Sequence, residues 1–240
     1  AVSNGGAIGI TTTDAIVLNI INSTFTQNIP DALNNNSSGV VHILNSILWG
    51  NDIPPITGGV SPEVNNSIVE GGYGGMNIKD MDPLFQDPVS NFHLAQSSPA
   101  IDMGENTYSN ETTDLDGLPR IARTIIDMGA FESLLDCSSD TFDISADGNI
   151  PALLDSILKG LIPDQFVVLV NGQDIDNLDF DCENMGANNL TINILRACNQ
   201  ALIDSCTKQI VIRNGFTNAL NGIERLNVSM DEDCMIILTP

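Results

Sequence analysis

Asn22-Ser-Thr-Phe-Thr-Gln-Asn28, Asn45-Ser-Ile-Leu-Trp-Gly-Asn51 and Asn66-Ser-Ile-Val-Glu-Gly-Gly72 are three versions of one phrase. Their starts lie 23 and 21 residues apart, and an apolar stretch precedes each one: Ile20-Ile21, Ile43-Leu44 and Val64. A period in the low twenties, with short β-rich runs and Asn/Gly turns, is the pattern of a solenoid. One such unit cannot bury its own apolar face and becomes stable when neighbours stack on it. The phrase therefore predicts successive turns of a β-solenoid over residues 1–78. Asn22, Asn45 and Asn66 are expected to stack as a ladder at one corner, where a side-chain amide can satisfy backbone groups that the bend leaves unpaired. A repeat of this kind argues for a scaffold or a binding surface more than for a single reaction centre.

Composition narrows the class. Of the 240 residues 42% are hydrophobic, enough for a core in one or two domains. The 31 acidic and 8 basic side chains give a formal net charge of -23. That balance argues against nucleic acid, whose phosphates need cationic partners, and against docking on anionic lipid. It fits a solvated extracellular surface. No apolar run approaches the roughly 18–20 residues of a spanning helix, so no membrane insertion is expected in this segment. The start, Ala1-Val-Ser-Asn-Gly-Gly-Ala-Ile8, has no signal-like block and reads as the middle of something: either a leader was removed or the segment was excised from a longer chain.

The five cysteines, Cys137, Cys182, Cys198, Cys206 and Cys234, all lie in the second half, and no two form a C-x-x-C pair. This reads as a disulfide-bearing module in an oxidising compartment, not as a zinc site. Cys198 and Cys206 flank an expected hairpin turn and are the first candidates to bridge. Cys137 and Cys182 form a second pair by elimination, and Cys234 is left over.

Residues 79–132 break the period. Asp82-Pro-Leu-Phe85, Phe92-His-Leu94, Ser98-Pro-Ala-Ile-Asp102, Thr113-Asp-Leu-Asp-Gly117, Pro119-Arg120 and Ile126-Asp-Met-Gly-Ala-Phe-Glu132 follow one another in an order and spacing that resemble the terminal portion of bacterial right-handed parallel β-helix repeat proteins. Such proteins are secreted or surface-attached. The resemblance implies that residues 1–132 are β-helix coils with a terminal cap, the cap closing the open end of the stack. From Cys137 the text changes. Phe142-Asp-Ile, Phe166-Val-Val-Leu-Val170, Asn189-Leu-Thr-Ile-Asn-Ile-Leu195 and Asp204-Ser-Cys-Thr-Lys-Gln-Ile-Val-Ile212 read as strands alternating with turns. Their order resembles hyalin-repeat and PKD-like immunoglobulin-type modules, which implies a β-sandwich over residues 137–217. Residues 150–163 have helical spacing and predict one short helix. Residues 218–240 read as a linker and the start of a further module. The fold class expected is all-β: a right-handed parallel β-helix end, then an immunoglobulin-like sandwich.

Candidate chemistry is thin. Acids in the first coils are scattered (Asp14, Asp31, Asp52, Glu63, Glu70), and the first base is Lys79. No stacked catalytic trio of the kind polysaccharide cleavage needs is visible there. Asp114 with Asp116, and Asp174 with Asp176, offer oxygens at alternate positions and are candidate calcium ligands, calcium being the sole cofactor considered; neither stretch matches a twelve-residue EF-hand loop. His42 and His93 read as packed residues. Trp49 and Tyr73 read as core residues, with a sugar-stacking platform as the rival. The expectation is a non-catalytic fragment of a large secreted cell-surface protein, an adhesin, stalk or filament used in attachment or gliding. Its partners would be other modules of the same chain and surface glycans or other surface proteins. The rivals are a polysaccharide-degrading β-helix enzyme and a carbohydrate-binding module.

Overall fold

A computed structural model describes residues 6–122, 124–144, 156–159, 164–174, 178, 180, 184–214, 229–230 and 236–237. They are almost entirely β-strand and turn. The described residues divide between Leu134 and Leu135 into two units.

The first unit is built from parallel strands. β1 (Ile8–Ile10), β2 (Val17–Ile21) and β3 (Thr24–Phe25) form one repeat. β4 (Leu33–Asn35), β5 (Val40–Leu44) and β6 (Ile47–Leu48) form the next. β7 (Ile56–Thr57) and β8 (Glu63–Val69) form the third. Each strand pairs in parallel with its counterpart one repeat on: Ile8 with Leu33, Leu33 with Ile56, Val17 with Val40, Ile43 with Val64, Thr24 with Ile47, and Ile47 with Ile68. Like residues therefore stack on like. Ile20, Ile43 and Val64 form one buried column, and the core continues through Ile10, Leu33, Val41, Leu48 and Val69. Fully burying each such aliphatic is worth roughly 1.5–3 kcal/mol. No repeat could gain that alone.

The fourth repeat is half-length. β9 (Gly75–Lys79) pairs in parallel with β8, Val64 against Gly75 and Ser67 against Ile78, an offset of 11 residues. The glycine-rich loop Gly71-Gly-Tyr-Gly-Gly75 makes this short return, and Tyr73 and Ile78 pack on the core there. Tyr73 is thus a core-packing residue.

Residues 80–132 then run along the flank of the repeats, where a cap over their end was expected. β10 (Phe85–Asp87) and β11 (Asn91–Leu94) form an antiparallel pair. Leu94, Ala100 and Met128 pack on Ile47 and Ile68, with Trp49, Phe85 and Ile101 around them. In a strand, neighbouring residues point to opposite faces. Ile47 and Leu48 are nonetheless both 0% exposed, because Leu48 faces the core while the flanking segment covers Ile47. Trp49 packs against the same cluster while staying partly exposed.

In the second unit β12 (Asp140–Ile144), β13 (Phe166–Val170), β14 (Gln173–Asp174), β15 (Gly186–Arg196) and β16 (Leu202–Asn214) form one five-stranded sheet in the order β12-β16-β15-β13-β14. Only the β12–β16 pairing is parallel. Val168, Val170, Leu190, Ile192, Ile194, Ile210 and Ile212 are buried at alternating positions, so one face is apolar. The described residues supply this sheet and a hairpin of β17 (Ser229–Met230) with β18 (Ile236–Ile237). Of the expected helix, Ser156 and Ile157 are helical and Leu158 instead bridges to Leu135; the remainder falls mostly outside the described residues.

The disulfide differs from both expected pairs. Cys206 is bonded to Cys137 across a Cα separation of 6.2 Å, and Cys198 is a free, exposed thiol. The reason is register. Cys206 stands opposite Ile192 in the β15–β16 hairpin, while Cys198 lies in the turn beyond Arg196 and faces no strand partner. Cys182, the partner once expected for Cys137, lies outside the described residues, as does Cys234. Two residues from Cys206, Lys208 is 0% exposed. Its Nζ donates to the carbonyls of Asp136, Ser138 and Ser156 and pairs with Asp140 Oδ2 at 2.7 Å. The disulfide and the lysine thus hold the same stretch of chain to β16. Under native conditions Cys198 should react with a thiol reagent at once while Cys137 and Cys206 do not. Non-reducing peptide mapping should recover Cys137 linked to Cys206; a Cys198–Cys206 link would contradict this register.

Candidate functional site

The repeats bend at one corner, and the sequence phrase sits on it. Asn22, Asn45 and Asn66 all have left-handed backbone, with φ of 48°, 49° and 48°. Asparagine is among the few residues with a side chain that adopt this region at small cost. The pairing register puts the three in one column. The same register adds a fourth member, Asn77, with φ of 53°. Sequence reading missed it because it follows Asn66 after 11 residues and no serine comes after it.

A second column lies beside the first. Ser23 N–H donates to Ser46 Oγ at 3.2 Å, and Ser46 N–H donates to Ser67 Oγ at 3.0 Å. Each hydroxyl donates in turn to the carbonyl two residues before it, on Ile21, Leu44 and Asn65. The Asn-Ser dipeptide in the repeated phrase was its visible signal.

The flanking segment crosses the asparagine column as a strap. Asn77 Nδ2 donates to the Met103 carbonyl at 3.1 Å. Asn45 receives the Glu105 N–H on Oδ1 at 2.8 Å and returns Nδ2 to the Glu105 carbonyl at 3.0 Å and to Asn22 Oδ1 at 3.2 Å. Asn22 Nδ2 donates to Ser109 Oγ. One strap thus stitches repeats one, two and four together. Ile101-Asp-Met-Gly104 recurs as Ile126-Asp-Met-Gly129, and the two copies bind each other: Gly104 N–H to the Ile126 carbonyl, Met128 N–H to the Ala100 carbonyl, Asp102 N–H to Asp127 Oδ1. A Cβ on Gly104 would meet Ile126 Cγ2 at 2.5 Å, and one on Gly129 would meet Ile47 Cδ1 at 2.8 Å. Close approach to the corner therefore requires both glycines.

Beneath the strap lies a buried ionic cluster. Arg120 is 1% exposed and donates Nη2 to the carbonyls of Asp127 and Gly129, with Glu132 Oε1 at 3.2 Å. Asp127 accepts from the N–H groups of Asp102 and Ser133. Asp114 accepts from Asp116 and Leu118 on one oxygen and from Glu132 on the other. Burial pushes the Glu132 carboxyl up to about 9, the Asp127 charge adding to it and Arg120 opposing. Burial also raises Asp114, which its three backbone donors partly offset, and lowers Arg120.

The candidate calcium ligands are used otherwise or stand apart. Both Asp114 oxygens are taken by backbone N–H groups. Asp116 is paired with His93, whose other ring nitrogen meets Asn91 and whose ring stacks 4.1 Å from Phe131. Asp174 is exposed on β14, and Asp176 lies outside the described residues. Among the described residues no group of three or more His, Cys, Asp or Glu side chains gathers to hold a metal.

A groove of about 870 Å³ opens at the first-repeat end. Ile8, Leu18, Ile20 and Phe25 line one side, and Tyr108 and Glu111, from the end of the strap, line the other. No protein-family model matches this chain, nor does any curated protein or solved structure. Among the described residues no helix is long and apolar enough to cross a membrane.

Two measurements follow from the corner and the cluster. Asn45→Ala loses three side-chain hydrogen bonds and strains the left-handed corner, so urea unfolding should show a loss of about 2–4 kcal/mol. Asn45→Gly should recover about 1 kcal/mol of it, by relieving the strain alone. Asn66→Gly should change stability by less than about 1 kcal/mol, because among the described residues the Asn66 side chain makes no hydrogen bond. Glu132 holds its proton to about pH 9 when folded, against an ordinary glutamate value of 4.5. The folded state thus binds the extra proton between these values. That stability is complete below the unfolded pKa and is lost as pH rises through the folded one. The melting temperature should fall between pH 6 and pH 9, and Glu132→Gln should flatten the fall.

Proposed function

We propose that this chain is a non-catalytic, rod-forming part of a large secreted bacterial surface protein. In this reading residues 1–132 are the end of a right-handed β-helix, and residues 137–217 are an immunoglobulin-like spacer. The observation that carries it is the stitching of the parallel repeats by one strap along the asparagine column. That arrangement makes a stiff body out of units that are not stable singly, which is what a stalk or adhesin shaft requires. The polar side chains of the corner are consumed in holding it together. The buried side chains of Arg120, Asp127 and Glu132 are likewise turned on backbone groups and on one another. The disulfide of the second unit fits an oxidising compartment outside the cell. The net charge of -23 fits a solvated surface that neither nucleic acid nor anionic lipid attracts. Its partners are then further modules of the same protein and the glycans or proteins of the surface it serves, and the reading needs no cofactor.

The test is turnover set against presentation. The purified chain, incubated with a panel of neutral and acidic polysaccharides, should release no reducing ends. Display of the chain on an inert carrier should change attachment of the carrier to cells. Cleavage of any polysaccharide, abolished by a single acid-to-amide change that leaves the circular dichroism intact, would overturn the reading.

A further inference from the structure

Lys208 breaks the pattern of its own strand. It stands opposite the buried Leu190 in the β15–β16 pairing, between Cys206 and the buried Ile210 at alternate positions of β16. Alternate residues of a strand share a face, so all three point to the same side. A well-packed aliphatic in place of a buried ion pair is often neutral or stabilising. Stability alone therefore does not account for a lysine that is 0% exposed. What the lysine holds is specific. Its Nζ donates to the Asp136 carbonyl at 3.1 Å and to the Ser138 carbonyl at 2.8 Å, the residues on either side of Cys137. The Ser156 carbonyl at 3.1 Å and Asp140 Oδ2 at 2.7 Å complete the cage. The backbone around Cys137 is thus gripped from the face of β16 that carries Cys206.

Cys206 has four other cysteines to choose from, and it is bonded to the one farthest along the chain, Cys137, at a separation of 69 residues. Cys182, Cys198 and Cys234 are all nearer to it in sequence. The cost of closing a loop rises with its length, so an unordered chain would favour each of those three. The β12–β16 ladder begins at Asp140 with Ile210, past Cys137. The Lys208 contacts reach back from β16 to residues 136 and 138. We propose that Lys208 is a positioning residue for disulfide formation, which brings Cys137 to Cys206 before the bond exists and so selects this pair. The oxidant is a small external disulfide of the glutathione class. One protein thiolate attacks it, forming a mixed disulfide and releasing a glutathione thiolate. The second protein thiolate attacks the protein sulfur of that mixed disulfide and releases the other glutathione thiolate. Two protein thiols are oxidised, and one small disulfide is reduced to two thiols. The inference rests on the bond and the lysine cage, not on the surface-protein reading above.

The test follows the first disulfide formed by the reduced, intact chain in native buffer with oxidised glutathione, using acid quenching and peptide mapping. Cys137–Cys206 should form first. In Lys208→Met its ring closure should be about tenfold slower or more, the worth of one hydrogen bond to a charged group. Links to Cys182, Cys198 or Cys234 should then appear among the first products. Val168→Ala, at a buried position of β13 in the same sheet, controls for lost stability. It should leave both the closure rate and the choice of partner unchanged. Equal slowing in the two variants would overturn the proposal, and so would unchanged closure in Lys208→Met. Amine acetylation of the unaltered chain decides the matter even if Lys208→Met fails to fold. Lys208 should resist acetylation in the reduced chain as it does in the oxidised one. Labelling of Lys208 in the reduced chain as fast as in urea would overturn the proposal, because the cage would then follow the bond.

Discussion

The left-handed corner at Asn45 is the point on which the first unit depends. Its backbone turns the chain between β5 and β6 without breaking parallel pairing on either side. Its side chain is 0% exposed and meets both the preceding repeat, through Asn22, and the strap, through Glu105. Its carbonyl takes the N–H of Gly129 at 2.8 Å. Turning, stacking and lateral attachment are thus done by one residue. Alanine would fail at all three, and glycine would keep only the turn.

From that corner the rest of the unit follows in order of distance. Parallel register fixes which aliphatics stack, and stacking fixes two buried faces instead of one. The outer face at Ile47 and Ile68 needs a cover, and residues 85–101 with Met128 supply it. Cover at that range forces backbone against backbone, hence Gly104 and Gly129. Holding the returning chain there buries Arg120 among three carboxylates. Burial of charge is costly, and such a cluster persists only if each member is well partnered or neutral. The elevated Glu132 carboxyl is the neutral member.

The repeated phrase made the parallel stack and the corner column legible, because asparagine, serine and alternating aliphatics carry their reasons locally. Strands β13, β15 and β16 were legible for the same cause. The use made of residues 80–132 was not. A cap was expected at the end, but covering Ile47 depends on both faces of a strand being apolar, and periodicity gives no sign of which partner covers the second face. Asn77 escaped notice because the repeat halves its length through Gly71–Gly75. The duplicated Ile-Asp-Met-Gly was present in the text, yet its two copies meet only through the fold. The disulfide was misread because spacing along the chain placed Cys198 beside a hairpin, and the register put Ile192 where a cysteine partner would have to stand. Asp114 looked like a ligand for an ion. Its oxygens accept from the N–H groups of Asp116 and Leu118 in its own loop and of the distant Glu132, a use that sequence spacing does not reveal.

The central claim is that the parallel repeats and the strap are one cooperative unit held through the asparagine column. Native-state hydrogen exchange under increasing denaturant tests it most directly. The account predicts that the amides of Ile47, Ile68, Gly104, Glu105 and Met128 converge on a single opening free energy and lose protection together. If Gly104, Glu105 and Met128 exchanged through a separate opening several kcal/mol lower, while Ile47 and Ile68 stayed protected, the strap would be an appendage and the account would be contradicted.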